Sequence, residues 1–207
     1  MQKIIESFPY LTQTDNKWFS STSCYPTSMA MAIYWCLKLV GKSEYDIGCP
    51  LNMQLEDYIT SITQSKETKT WIKQNVSKYG NWMLRFKPRV IAYVEEMIFN
   101  KLMNQFYFKS TFSANISFQE YRKNIDKNMP VVLHGDFRTV SKVAGHIVCG
   151  VGYDESNNSI YVMDPFGNAL IDKYKSHEDG EYAEYHINLV MKNKKNQKLW
   201  GQIIERI

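Results

Sequence analysis

Cys24, His146 and Asp164 are the residues of this 207-residue sequence whose types and surroundings could do chemistry together. Cys24 stands two residues before Pro26, after which Met29, Ile33, Leu37 and Val40 recur at helical spacing up to Gly41. Proline suits a first helical turn, where its missing N–H costs nothing, and glycine suits a helix end. Cys24 is therefore expected at, or one residue before, the N-terminus of a buried helix. The partial positive charge of that end favours thiolate over thiol, and thiolate is the nucleophile. A nearby imidazole would complete the activation, and a third group would orient the imidazole. His146 follows Gly145 at the start of one strand, and Asp164, before Pro165, closes the next. Residues Glu155 to Asn158 form a turn joining the two. Antiparallel pairing places the start of the first strand beside the end of the second, so both side chains meet at one end of the sheet.

Each of these residues alone has a plainer reading. A cysteine before a helix is usually a small buried residue, and a histidine usually a surface or hydrogen-bonded core residue. Three other histidines compete. His134 lies on a strand and could face either side, His177 sits in a charged loop, and His186 alternates with Tyr185 and Ile187 as a strand-surface residue.

The elements that must position these groups divide at Pro130. Before it, an extended stretch (Ile4 to Leu11) and a polar loop (Thr12 to Ser23) lead into the Cys24 helix. Residues 42–129 read as mostly helical, in pieces from Leu51 to Gln64, Glu67 to Lys78 and Arg89 to about Phe106. Ser117 with Glu120 is a capping box that opens a short helix to Lys127. After Pro130, Val131 to Leu133, His146 to Val151, Ile160 to Met163, His186 to Val190 and Leu199 to Ile204 are short and rich in β-branched and aromatic residues, as strands are. Helices first and antiparallel strands later predict an α+β fold, expected as one domain over residues 1–207 with no linker and no repeat.

Composition narrows the classes. Hydrophobic content of 44% and a net charge of +4 exclude a disordered chain. The longest apolar run, Met29 to Leu37, is too short to span a bilayer. The densest basic stretch, Lys192, Lys194, Lys195 and Lys198, reads as a solvated turn, and no motif for nucleic acid accompanies it. The four cysteines (Cys24, Cys36, Cys49, Cys149) show neither C-x-x-C nor metal-ligand spacing, so no metal or other cofactor is expected. Lys3, Glu6, Asp15 and Lys17 interrupt any signal-peptide core, which leaves action at the place of synthesis, export by another route, or a trimmed signal.

At the residues with chemistry the sequence resembles a known family. The stretch PYLTQTDNKWFSSTSCYPTSMAMAIYW is similar to the opening of the bacteriocin-leader-type cysteine peptidases, which have papain-like folds. Their usual pattern is Gln, often then Asp, a loop, and Cys-Gly-Pro-Thr/Ser-Ser. GHIVCGVGYDESNNSIYVMDPFGN resembles the family's His block and Asp-Pro block, and NIDKNMPVVLHGDF the segment leading into them. The resemblance covers residues 8–41 and 118–168. It implies a papain-like α+β fold in which Cys24 is the nucleophile, His146 the base and acid, Asp164 the orienting group and Gln13 the oxyanion-hole residue. By itself Gln13 would be an ordinary loop glutamine. The implied reaction is thiol-dependent cleavage of a peptide or amide bond, with a peptide, protein loop or cell-wall peptide as substrate.

One departure stands beside the nucleophile: the family's Gly is Tyr25 here. It could narrow the cleft, stack on substrate or simply face outward. Asp15, Asn16 and Trp18 are expected near Gln13, with Tyr25, Asp15 and Trp18 as candidate substrate contacts. A transpeptidase or acyltransferase on the same fold, and a non-catalytic binding or toxin-like module, are the alternatives. The 14 Tyr, 10 Phe and 5 Trp are unusually many, and several, including Trp71 and Trp82, fall in the unmatched residues 42–117. Core packing accounts for most of them. A sharper expectation is that these helices wall the substrate cleft and that some of their aromatics set specificity.

Overall fold

The computed structural model describes residues 1–79, 87–137, 143–171, 174, 179–191 and 198–207. Three groups named above lie outside those residues: most of the basic stretch (Lys192, Lys194, Lys195), His177 and Trp82. The apolar run after Cys24 becomes helix α1 (Cys24–Leu39), with Pro26 in its first turn. Met29, Ala30, Met31, Ala32, Ile33 and Cys36 are all fully buried, so the helix is enclosed on every side. The buried helix expected from Met29, Ile33 and Leu37 is observed, and small or apolar residues continue around it, as an enclosed helix needs. Its end is a Schellman arrangement, as Gly41 suggests: the Lys42 N–H donates to the Leu37 carbonyl and the Gly41 N–H to that of Lys38.

Helices α2 (Leu55–Gln64), α3 (Lys66–Tyr79) and α4 (Lys87–Met103) follow; α2 and α4 pack on α1, and all three pack on one another. Helix α5 (Phe118–Asp126) opens on the capping box read from the sequence: Ser117 Oγ accepts the Glu120 N–H at 3.2 Å, and the Glu120 carboxylate accepts the Ser117 N–H at 2.7 Å.

The strands are β1 (Gln2–Ile4), β2 (Phe108–Ile116), β3 (Val131–Phe137), β4 (Val143–Asp154), β5 (Ser159–Met163), β6 (Ala183–His186) and β7 (Leu199–Arg206). All neighbours are antiparallel in the order β2-β7-β3-β4-β5-β6, and β1 pairs with the far end of β4. Helix α1 lies against β4.

Two expectations are corrected. Residues 108–116, read as part of a mostly helical region, form strand β2 paired with β7. Its inward alternation runs through Ser110, which is fully buried and donates to Gln202 Oε1 at 2.9 Å, so a buried hydroxyl replaces the apolar residue that marks a strand. Of the predicted strand His186 to Val190, residues 187–190 are not a strand. β6 ends at His186, and the one-turn helix α6 (Ile187–Val190) follows, capped by the His186 ring accepting the Asn188 N–H.

Candidate active site

The loop before α1, the start of α1 and the β4–β5 hairpin converge on one site. Ser23 is the N-cap of α1 but makes no side-chain cap, and no acidic residue occupies the first turn. The first N–H groups of the helix thus stay open at the end that carries Cys24, which leaves its positive end uncompensated. Cys24 is half-buried, whereas Cys36, Cys49 and Cys149 are buried, and all four are free thiols. Burial pushes the Cys36 and Cys149 thiols far up; burial, then the Glu44 and Glu56 charges, raise Cys49 to about 11.

His146 enters from β4, paired with Gly135 of β3. The preceding Gly145 has a φ of 79°, a left-handed conformation that a side chain at this position would strain. The imidazole is buried, and its Nε2 lies 2.6 Å from Asp164 Oδ1. Nδ1 is then the ring nitrogen left for Cys24. Burial alone disfavours the imidazolium, but the charge and hydrogen bond of Asp164, with Cys24 adding to them, hold its pKa up at about 10. The ring is boxed by aromatics: Phe137 at 5.3 Å, Tyr174 at 5.5 Å and Phe166 at 6.3 Å between centroids.

Asp164 is fully buried and accepts four hydrogen bonds. Oδ1 takes His146 Nε2 and the Phe166 N–H (3.0 Å); Oδ2 takes the hydroxyls of Tyr174 (2.9 Å) and Tyr185 (2.8 Å). Burial, then the Asp164 charge, push both tyrosine pKa values up and keep the hydroxyls protonated as donors. The Tyr185 oxygen in turn accepts the Ala169 N–H at 2.8 Å. The backbone of Asp164 is held too: its N–H donates to the Gly180 carbonyl at 2.8 Å, and its carbonyl accepts the Tyr10 hydroxyl at 3.1 Å. Sequence reasoning missed Tyr174 and Tyr185. The signal for Tyr185 was its inward alternation on β6, and Tyr174 carried none.

Gln13 is buried between these parts. Its N–H donates to the Pro165 carbonyl (2.8 Å), next to Asp164, and its own carbonyl accepts the Ser23 hydroxyl (3.5 Å), next to Cys24. Its side-chain amide donates to the Ser20 carbonyl at 2.8 Å, which uses one of two N–H bonds. Asn16 braces the same corner, donating to Ser23 Oγ (2.8 Å) and Thr27 Oγ1 (2.9 Å).

A cavity of about 450 Å³ opens beside Cys24. Tyr25 lines it and is 9% exposed, so it does not face outward at the helix start. Helices α2, α3 and α4 do supply a wall, through Thr60, Thr63, Ile72 and Val94 rather than through the aromatics described on them. Trp71 is half-buried against the core instead. Phe19, 62% exposed, stands at the rim; its neighbour Trp18 and the exposed Asp15 do not line the cavity. Lys17 Nζ lies over the Trp18 ring, and Asp15 accepts a long bond from Gln54. His134 is far from this chemistry in role: its Nε2 bonds the buried Glu95 carboxylate at 2.7 Å, which also accepts from Gln202.

A helix presenting a cysteine to a histidine–carboxylate pair on an antiparallel sheet defines the papain-like α+β fold. Comparison with known proteins agrees. The model of the Peptidase_C39-like family matches residues 5–193, and the chain belongs to that family. A crystal structure of a provisionally assigned C39-like peptidase from Bacillus anthracis superposes with a TM-score of 0.55 at 12% identity, over 100% of both chains. No curated protein sequence matches. No helix among the described residues is long and apolar enough to cross a membrane.

Proposed function

We propose that the protein is a cysteine peptidase or amidase acting through Cys24, His146 and Asp164, with Gln13 as an oxyanion-hole donor. The observation that carries this reading is the 2.6 Å contact of His146 Nε2 with a fourfold hydrogen-bonded Asp164, which leaves Nδ1 for the thiol at a helix N-terminus. The Cys24 thiolate attacks the carbonyl carbon of a peptide or amide bond. The Cys24 N–H and the second Gln13 N–H stabilise the oxyanion. His146 then passes its Nδ1 proton to the departing amine, leaving a thioester on Cys24. Water, deprotonated by His146, hydrolyses the thioester and regenerates the thiolate. Asp164 fixes the ring orientation and stabilises the imidazolium.

Intact-protein mass spectrometry after incubation with a mixed library of protein and cell-wall peptides is the test. An acyl adduct on Cys24, released by hydroxylamine and missing from Cys24→Ala and His146→Ala, is the expected result. Products that incorporate an added amine would make the enzyme a transferase. A protein that forms no adduct and cleaves no library member is not a peptidase of this kind.

A further inference from the structure

Among the described residues, the cavity beside Cys24 carries no ionisable side chain on its walls other than Cys24 and Tyr25 themselves. Ile72, Val94 and Ile147 give it an apolar body, and at about 450 Å³ it exceeds the bulk of any one side chain. Its polar side chains differ in what they offer: the exposed Gln64 amide both donates and accepts. Thr60 and Thr63 donate their hydroxyl protons to the carbonyls of Glu56 (2.8 Å) and Ile59 (2.9 Å), so they offer only lone pairs. The Tyr25 hydroxyl is different. It is buried, and no hydrogen-bond partner for it exists among the described residues. Thr63 lies near it without meeting hydrogen-bond geometry. A buried, unpaired phenol is costly, and a ligand that accepts its proton removes that cost. Burial, then the charge of Glu95 behind it, push the phenol pKa well up, so it stays a donor.

We propose that this cavity is a recognition pocket for one bulky, uncharged side chain of the substrate, and that the Tyr25 hydroxyl reads a hydrogen-bond acceptor on that side chain. The proposal rests on Cys24 being the nucleophile, since the pocket then takes a residue close to the scissile carbonyl. It gives Tyr25 a purpose that a glycine after the cysteine could not serve. An anionic side chain would be desolvated against walls that carry no cation among the described residues, and a cationic one against walls that carry no carboxylate among them.

The test uses the full chain and needs no known substrate. Alkylation of Cys24 is followed by peptide mass spectrometry with chloroacetamide and with its N-phenethyl, N-(4-acetylphenethyl) and N-(4-carboxyphenethyl) derivatives, each rate divided by that for glutathione. The phenethyl probe should react about tenfold faster than chloroacetamide. The acetyl probe, which adds an acceptor, should gain a further factor of about five, within the range of one hydrogen bond. The carboxylate should gain nothing. Tyr25→Phe should make the acetyl and phenethyl rates equal. Thr63→Trp and Ile72→Trp, at half-buried positions on two different helices, should each bring all probes back to the chloroacetamide rate. Normalised rates that are flat across the series in the wild type overturn the pocket. An acetyl preference that survives Tyr25→Phe overturns the role of the hydroxyl. Failure of the catalytic reading looks different: unsubstituted chloroacetamide would then show no preference for Cys24 over Cys49 and no loss in His146→Ala, whatever the series shows.

Discussion

The Ser28 hydroxyl donates a 3.0 Å hydrogen bond to the Ile147 carbonyl, pinning α1 to β4 one helical turn past Cys24 and one residue past His146. Two groups that are 122 positions apart in the chain are thereby held in register by a bond adjacent to both. Both partners of that bond are buried, so breaking it takes a donor from the Ile147 carbonyl where helix and sheet pack together. Ser28→Ala is expected to cost about 1–3 kcal/mol of stability in urea unfolding. Turnover should fall more than alkylation of Cys24, because acylation needs both groups in place and alkylation needs the thiol alone.

Alkylation separates the cysteines. Iodoacetamide near neutral pH should modify Cys24 at least about tenfold faster than Cys36, Cys49 or Cys149, whose thiols are buried and held protonated. His146→Ala should erase most of that advantage. Equal, slow modification of all four thiols by quantitative peptide mapping would falsify the activation of Cys24.

Asp164→Asn is a severe change in a small volume. An amide nitrogen cannot accept from His146, Tyr174 or Tyr185, so at least one buried donor loses its partner. A loss of about 10²–10⁴ in kcat is expected, in the range of orienting groups in other triads. Tyr185→Phe should be milder in rate but cost about 1–3 kcal/mol, since it also strands the Ala169 N–H. Burst kinetics and denaturation of each variant check the two effects separately.

The raised pKa of His146 links stability to pH. Its folded value of about 10 lies above the ordinary value of 6.5 that it takes when unfolded. The stabilisation is therefore fully present below pH 6.5 and is lost as pH rises toward 10. Wild type should lose urea stability across that window relative to His146→Gln, and matched slopes for the two proteins would refute the link.

His134 and His146 should part company under mutation. His134→Ala leaves the Glu95 carboxylate buried without its nearest partner, at a cost of about 3–5 kcal/mol. The Cys24 alkylation rate of the folded variant should stay at the wild-type value. A fall in that rate matching the fall in His146→Ala would place His134 in the chemistry.

Local signals were strong enough to read much of this from the chain. Pro26 and Gly41 bound α1, Ser117 and Glu120 open α5, and the Glu155–Asn158 turn folds β4 back on β5. All are effects of near neighbours, which is why one-dimensional reading reaches them. The pairing of His146 with Asp164 was legible for the same reason, because an antiparallel hairpin converts sequence order into position. Strand β2 was not legible. Its inward residue Ser110 owes its burial to Gln202, 92 positions away, and composition alone marks it as polar.

Sequence by itself thus determined which residues could react and which elements would carry them. Tertiary structure decided what surrounds them: the two tyrosine hydroxyls on Asp164, the aromatic box around His146, and the turn of Tyr25 into a cavity walled by three helices. The physical reason is the same in each case. Burial and hydrogen-bond satisfaction are properties of an environment assembled from distant segments, and no window along the chain contains it. The aromatic excess shows the division clearly. Composition announced it, yet only packing revealed that Phe137, Phe166 and Tyr174 serve the histidine while Trp71 serves the core.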